Sequence, residues 1–246
     1  MTVLERLVDA GGAIRLAASV PNRAELGDLV RNQLHDCRRL GVELHLGVEA
    51  SVERVMLERP SAVVVATGSR PRVPHWAAAA LDAGIAVADV TEVLAGAVEP
   101  AGEVVVVDEV GFHQATSVAE LLADRGSAVE IVTPGMVVGQ DLGITLDLEG
   151  FNMRAAARHI AQSTDRVVMG AADGALQILH HPTGATEERR ADWVVLALPP
   201  EPEDRLYHEL RAAATAGVAV ERVGDCVAPR RAHAAVIEGE RAGATL

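Results

Sequence analysis

Apolar positions along this chain change period repeatedly, and the changes mark out alternating strands and helices. Thr2 to Arg6 reads as a strand that ends on an acid, followed by a loop with Gly11-Gly12 and the apolar stretch Ile14 to Ala18. Pro21-Asn22 marks a turn. Asn22 is placed to cap a helix whose Leu26, Leu29, Val30, Leu34 and Leu40 keep helical spacing, and Gly41 ends it. Val42 to Leu46 alternates as a strand, and Ser61 to Ala66 is a largely apolar strand leading into Thr67-Gly68-Ser69-Arg70-Pro71.

Ala77 to Gly102 is rich in alanine, has Pro100 near its end, and reads as a connector. A β-α-β unit then opens: strand Glu103 to Asp108, helix Ser117 to Arg125 ending at Gly126, and strand Ala128 to Thr133. Glu149 to Gln162 reads as a helix. Arg166 to Val168, Leu176 to His180 and Trp193 to Leu196 read as shorter strands, with Pro182-Thr183-Gly184 as a hairpin turn. A helix over Asp204 to Ala214 follows Pro199-Pro200. The chain closes with a β-branched strand that stops on Gly224-Asp225, a turn, and an alanine-rich helix carrying Gly239 and Gly243. The expected class is α/β: two Rossmann-like domains, with residues 1–75 and 195–246 forming one and residues 80–190 inserted in it.

Composition narrows the function. Half the chain is apolar but only 2% is aromatic, so its core must be aliphatic, as suits parallel strands covered by helices. All 22 basic residues are arginine, which excludes a Schiff-base lysine or a P-loop lysine from this sequence. A net charge of −13 opposes nucleic acid as a partner. No apolar run reaches the roughly 20 residues of a membrane helix, so no membrane partner is expected and the cytoplasm is the expected compartment. Cys37 and Cys226 are far apart and form no CxxC pair; Cys37 reads as a small buried hydrophobe, while Cys226, directly after Asp225, belongs with the candidate site. No cluster of ligating side chains has zinc-like spacing, and no metal is expected.

Three turns carry candidate chemistry. Glu5 ends a strand where a dinucleotide fold uses an acid for the adenosine ribose, although an ordinary exposed strand-end carboxylate would look the same. Arg6 adjoins it, Gly11 and Gly12 allow close backbone approach, and Arg15 is placed to face a phosphate. Ala66-Thr67-Gly68 ends a buried strand in small residues, consistent either with a ligand against the backbone or with a tight turn before Pro71. Gly224-Asp225-Cys226 sets an acid just before a helix N-terminus, suited to hydroxyls on one side and anionic oxygens on the other. The inserted turn, Asp108-Glu109-Val110-Gly111-Phe112-His113, is different. It has one glycine where GxGxxG would cradle a pyrophosphate and two acids where phosphate would approach, so NAD(P) binding there stays open. His113 and His233 lie near the proposed turns, with capping or surface roles equally available; His180-His181 read as a solvated hairpin end. Arg230-Arg231 at the start of the last helix oppose its dipole, which favours an anion or partner contact.

Together, Leu4-Glu5-Arg6 with Gly11 to Ala18, Val65 to Pro71, Val106-Val107-Asp108 with Ala119 to Leu122, and Val223 to Cys226 with Pro229-Arg230 resemble the C-terminal portion of the old yellow enzyme-like family of 2,4-dienoyl-CoA reductase, trimethylamine dehydrogenase and histamine dehydrogenase. The resemblance implies an FAD- or ADP-binding domain interrupted by an NAD(P)H-type domain. Glu5 would face the adenosine ribose, Ala66 to Gly68 would border the dinucleotide, and Asp225 would hold the ribitol or a phosphate-side hydroxyl. The family's FMN-bearing TIM barrel, its [4Fe-4S] cysteines, and the first strand with its GxGxxG turn are not in this sequence. The implied protein is therefore a flavoprotein-type subunit of a split oxidoreductase, relaying electrons to or from a barrel subunit that supplies the strand and turn. A non-catalytic scaffold with a degenerate site and a stand-alone NAD(P)H-dependent reductase are the alternatives.

Overall fold

The computed structural model describes residues 1–213 and 217–246. In chain order the elements are β1 (Thr2–Glu5), α1 (Gly12–Ala17), α2 (Leu26–Arg39), β2 (Glu43–Leu46), α3 (Val52–Leu57), β3 (Ala62–Val65) and β4 (Ser69–Arg70). Then come α4 (Ala77–Asp82), β5 (Ala86–Asp89), α5 (Val90–Leu94), β6 (Glu103–Asp108), α6 (His113–Asp124), β7 (Ala128–Val132), α7 (Leu148–Ala157) and β8 (Ala161–Ser163). The rest are β9 (Arg166–Ala172), β10 (Ala175–His180), β11 (Ala185–Arg190), β12 (Trp193–Ala197), β13 (Glu201–Pro202), α8 (Arg205–Ala213), β14 (Ala219–Arg222) and α9 (Ala232–Thr245). Ala214, the last residue of the helix read from Asp204, lies outside the described residues.

The chain divides into two compact units, one of Met1–Arg15, Glu25–Arg72 and Pro200–Leu246, the other of Leu16–Ala24 and Val73–Pro199. The second unit is built on a parallel sheet in the order β5-β12-β6-β7-β8. Its central strand shows why: Val104 to Asp108 are buried in succession, so both faces must be covered. Val104 and Val106 pack with Val118 and Leu122 of α6, Ile131 of β7 and Phe151 of α7 on one face. Val105 and Val107 pack on the other with Trp76, Ala80 of α4, and Val168, Leu176 and Ile178 of the antiparallel sheet β9-β10-β11.

The first unit has no such continuous sheet among its described residues. β1 pairs in parallel with β2, β3 pairs in parallel with β14, and β4 pairs antiparallel with β13. Leu4 of β1 nevertheless packs against the cluster of Val55 of α3, Val65 of β3, Leu210 of α8 and Cys226, just beyond β14. The two parallel pairs share a core without sharing a ladder.

The structure corrects several sequence readings. Residues 77–102 are not a bare connector: they hold α4, β5 and α5, and β5 is an edge strand of the parallel sheet. Its Ala86-Val87-Ala88 is too small to stand out as a strand, but Asp89 and Glu92 form a reciprocal cap that starts α5 sharply. Asn22 does not cap α2. It adopts a left-handed φ of 62°, and the helix begins at Leu26 without a side-chain cap. The helix read as starting at Ser117 starts at His113, and the one read through Gln162 ends at Ala157, where His159 takes a φ of 56° and frees Ala161–Ser163 to become β8. Arg6 lies just beyond β1. Further elements have no counterpart in the sequence reading, among them α3, capped by the Ser51 side chain on the Arg54 N–H, β11, the partner strand of the hairpin, and the short pair β4 and β13.

Phe151 is completely buried in the face that joins α7 to the sheet. Replacing it with alanine removes contacts on three elements at once, and we expect a loss of about 3–5 kcal/mol, read as a lowered midpoint in thermal or urea unfolding of the second unit.

Candidate functional site

The first unit gathers the sequence's candidate residues at strand ends. Arg222 lies opposite Val65 in the β14–β3 pair, and the Val223 N–H donates to the Val65 carbonyl at 3.0 Å. The two strands therefore run out together, one into Ala66-Thr67-Gly68 and the other into Gly224-Asp225-Cys226. Gly68 has a φ of +81° and a Cβ built there would meet nothing within 4 Å. Ala66 and Thr67 are exposed, and the Thr67 hydroxyl donates to the Glu203 carbonyl while the Glu203 N–H donates to the Gly68 carbonyl. That lashing fixes the turn while leaving its open side free of protein.

Gly224 is buried with a φ of +70°, and a Cβ there would press on Ala235 of α9 at 3.2 Å. Its N–H donates to Glu238 Oε2 at 2.8 Å. Asp225 Oδ1 accepts the Arg230 N–H at 3.1 Å, which holds the carboxylate beside the start of α9. Arg230 also pairs with Glu238, so a cation at that helix end has a built-in counter-charge. Sequence spacing gives no sign of Glu238, which lies fourteen residues from Gly224, midway along α9. Cys226 is buried, and its thiol donates to the Val65 carbonyl at 3.1 Å, so its side chain belongs to the core.

At the end of β1, Glu5 Oε1 accepts the Leu7 N–H at 2.8 Å. Arg6 is exposed. Gly11, with a φ of +118°, lies so close to α2 that a Cβ would come within 2.9 Å of both Val30 methyls, whereas Gly12, at +46°, borders open space. Arg15 was expected to face a phosphate; it is exposed and paired with Asp9. Among the described residues, no hydrogen bond joins β1 to β3 or β14, so Glu5 is not tied to the other two turns.

The second unit presents a different picture. Asp108, at the end of β6, is fully buried, and its Oδ1 accepts the N–H groups of Val110 at 3.0 Å and Gly111 at 2.8 Å. Burial pushes its carboxyl above the usual range, against the pull of the backbone donors of Gly111, Val110 and Gly139. Nearby is a cavity of about 310 Å³ lined by Arg23, His113, Ser117, Glu120, Asp147 and Arg154, among others. Arg154 forks onto Asp147 at 3.1 and 3.0 Å and reaches Glu120 at 3.0 Å. Arg23 donates to Ser117 and Asp147 and meets the His113 ring. Two guanidinium groups and two carboxylates balance there. Nothing in the linear sequence joins these residues, which come from three separate segments. His180 bonds Thr183 within its hairpin, and His181 meets the Pro134 carbonyl.

The two acids of this unit respond oppositely to pH. Hydrogen bonds from Arg154 hold the Asp147 carboxyl below its usual 3.8, so its contribution to stability is present above that value and lost as pH falls through the lower, folded one. Asp147→Asn should therefore lower the melting midpoint at neutral pH, with the gap to wild type closing in strong acid. Asp108 is raised above 3.8, so its cost is present above the folded value and disappears as pH falls toward 3.8. Relative to Asp108→Asn, the wild-type protein should gain stability as pH falls through the weakly acidic range. Thermal melts of the three proteins across pH check both slopes.

No protein-family model matches the chain. It is 31% identical, over 98% of its own length, to an N,N-dimethylglycine/sarcosine dehydrogenase of Chromohalobacter salexigens, and 28% identical, over 97%, to a probable N-methylproline demethylase of Rhizobium meliloti. It spans 40% and 38% of the lengths of these two relatives. Its fold superposes over its full length on 40% of the histamine dehydrogenase from Rhizobium sp. 4-9, with a TM-score of 0.91 at 23% identity. Sequence and fold thus match the chain to part of the length of oxidoreductases of the old yellow enzyme-like family that its motifs resemble.

Proposed function

We propose that this chain is the flavoprotein-type part of an old yellow enzyme-like oxidoreductase, binding FAD, or ADP as its remnant, in the first unit. The reading rests above all on one observation: β3 and β14, hydrogen-bonded in parallel, end together on Gly68, which borders open space, and on Asp225, which is oriented by a backbone N–H. Asp225 accepts hydrogen bonds from ligand hydroxyls, and the N-terminal turn of α9 offers N–H groups to anionic oxygens. Glu5 serves the ribose end, Gly12, Ala66 and Thr67 let the ligand approach backbone, and Gly11 lets the loop pack close against α2. Bound FAD supplies electron transfer; the chain's own work is to bind and orient it.

The pocket is completed, in this reading, by a strand and glycine turn carried on a barrel subunit that also holds FMN and a [4Fe-4S] cluster. Two features support that. The parallel pairs β1-β2 and β3-β14 share a hydrophobic cluster without a common ladder, as expected of a sheet that receives another strand. The relatives, in turn, are more than twice this chain's length. A scaffold role without bound cofactor is the second reading, favoured by the way Asp108 occupies the turn of the inserted unit.

The test is the protein purified together with whatever barrel polypeptide accompanies it. The complex should be yellow, release FAD on denaturation, and melt higher with added FAD or ADP. Asp225→Ala should weaken FAD binding about tenfold or more, the loss of roughly one charge-assisted hydrogen bond, while the unliganded complex loses only the bond from the Arg230 N–H and stays folded. A colourless complex stabilised by neither ligand would overturn the proposal in favour of the scaffold.

A further inference from the structure

In an open dinucleotide fold, the N–H groups of the turn between the first strand and its helix point at the ligand's pyrophosphate. In the second unit that turn joins β6 to α6, and two of its central donors are already engaged. The N–H groups of Val110 and Gly111 both end on Asp108 Oδ1, a carboxylate with no exposure to solvent. A side chain of the strand itself thus sits where the anionic oxygen of a ligand would.

A second element closes over the same turn. The segment after β7 passes through Gly139, at a φ of +64°, into a short 3-10 helix at Gln140–Thr145. The Asp141 N–H donates to the Gly111 carbonyl at 2.9 Å, tying this helix to the turn. Gly139 lies against α6 so tightly that a Cβ would come within 3.0 Å of the Thr116 methyl and 2.9 Å of Leu142. Gly111 itself faces the Gln140 side chain, 3.4 Å from where its Cβ would be. The acids Asp108, Glu109 and Asp141 all lie on or beside the turn. After β7, Thr133 caps the Gly135 N–H at 3.2 Å where a nucleotide site would use an acid for the ribose.

We propose that Asp108, backed by the Gly139–Leu142 crossing, is an internal plug that closes the inserted unit to NAD(P)H and related nucleoside diphosphates. This concerns the second unit alone and does not depend on the FAD reading of the first. It makes the unit a structural insertion whose central turn amides are satisfied from within, and it excludes a nicotinamide held in this unit as the source of electrons.

The test uses the same purified complex, with NADPH and NADH as probes and hydrogen exchange at Val110 and Gly111 as the local readout. In the wild-type protein, millimolar NADPH or NADH should leave both amides equally protected and show no saturable binding. Asp108→Gly removes the acceptor and should tighten NADPH binding by about tenfold or more. Asp108→Asn keeps an acceptor for the two amides but not the charge, so it should gain much less. Three results would overturn the plug: submillimolar binding by the wild type with slowed exchange at the two amides, no gain in Asp108→Gly, or an equal gain in Asp108→Asn, which would reduce the effect to charge repulsion. If Asp108→Gly does not fold, wild-type exchange decides alone: slowing by NADPH refutes the plug, and no change upholds it. FAD binding, followed separately through Asp225→Ala, distinguishes failure of this proposal from failure of the first.

Discussion

A backbone N–H that leaves a buried parallel strand must find an acceptor, and this constraint organises both units. Parallel ladders satisfy the strands internally but abandon the donors of the turn at each carboxyl end. The chain meets the demand with carboxylates. Asp108 takes two amides in the inserted unit, Glu238 takes the Gly224 amide in the other, and Asp89 and Glu92 exchange bonds at the start of α5. A turn whose donors are all spoken for is a structural turn. A turn that keeps a glycine facing open space, as at Gly12 and Gly68, can still receive a ligand.

The all-arginine composition follows the same logic. With 35 acidic residues to 22 arginines, counter-charges are scarce, and some planar guanidinium groups serve more than one carboxylate. Arg154 joins Asp147 to Glu120, Arg166 and Arg189 both meet Glu187, and Arg189 also reaches Glu130. Such forks fasten α6 to α7 and the antiparallel sheet to β7 with a geometry that a lysine ammonium would not hold.

Much of the fold was legible because aliphatic periodicity reports burial directly. Val104 to Asp108, buried in succession, reads as a parallel strand from its four consecutive valines alone. Where side chains are small the signal fades, and β5 with its Ala86 and Ala88 was lost inside an alanine-rich stretch. Strand β11 was missed for the opposite reason, since its Thr-Glu-Glu-Arg-Arg run is a solvated face whose pairing is decided by the hairpin turn. Of the candidate site, the residue types at Gly68, Gly224 and Asp225 were readable because turns demand them. Glu238, the Arg154 fork and the engagement of Asp108 were not, because each depends on residues brought together only by the fold.

The thiol of Cys226 is bonded to the carbonyl of Val65, at the point where β3 and β14 release their candidate turns, and it lies wholly inside the first unit's core. Cys37, on α2, is only half-buried, and neither sulfur is in a disulfide. The chain therefore carries two thiols of unequal shelter. The rate at which a thiol reagent reaches Cys226, set against its rate at Cys37, becomes a chemical clock for the opening of the first unit, one that needs no bound cofactor to be read.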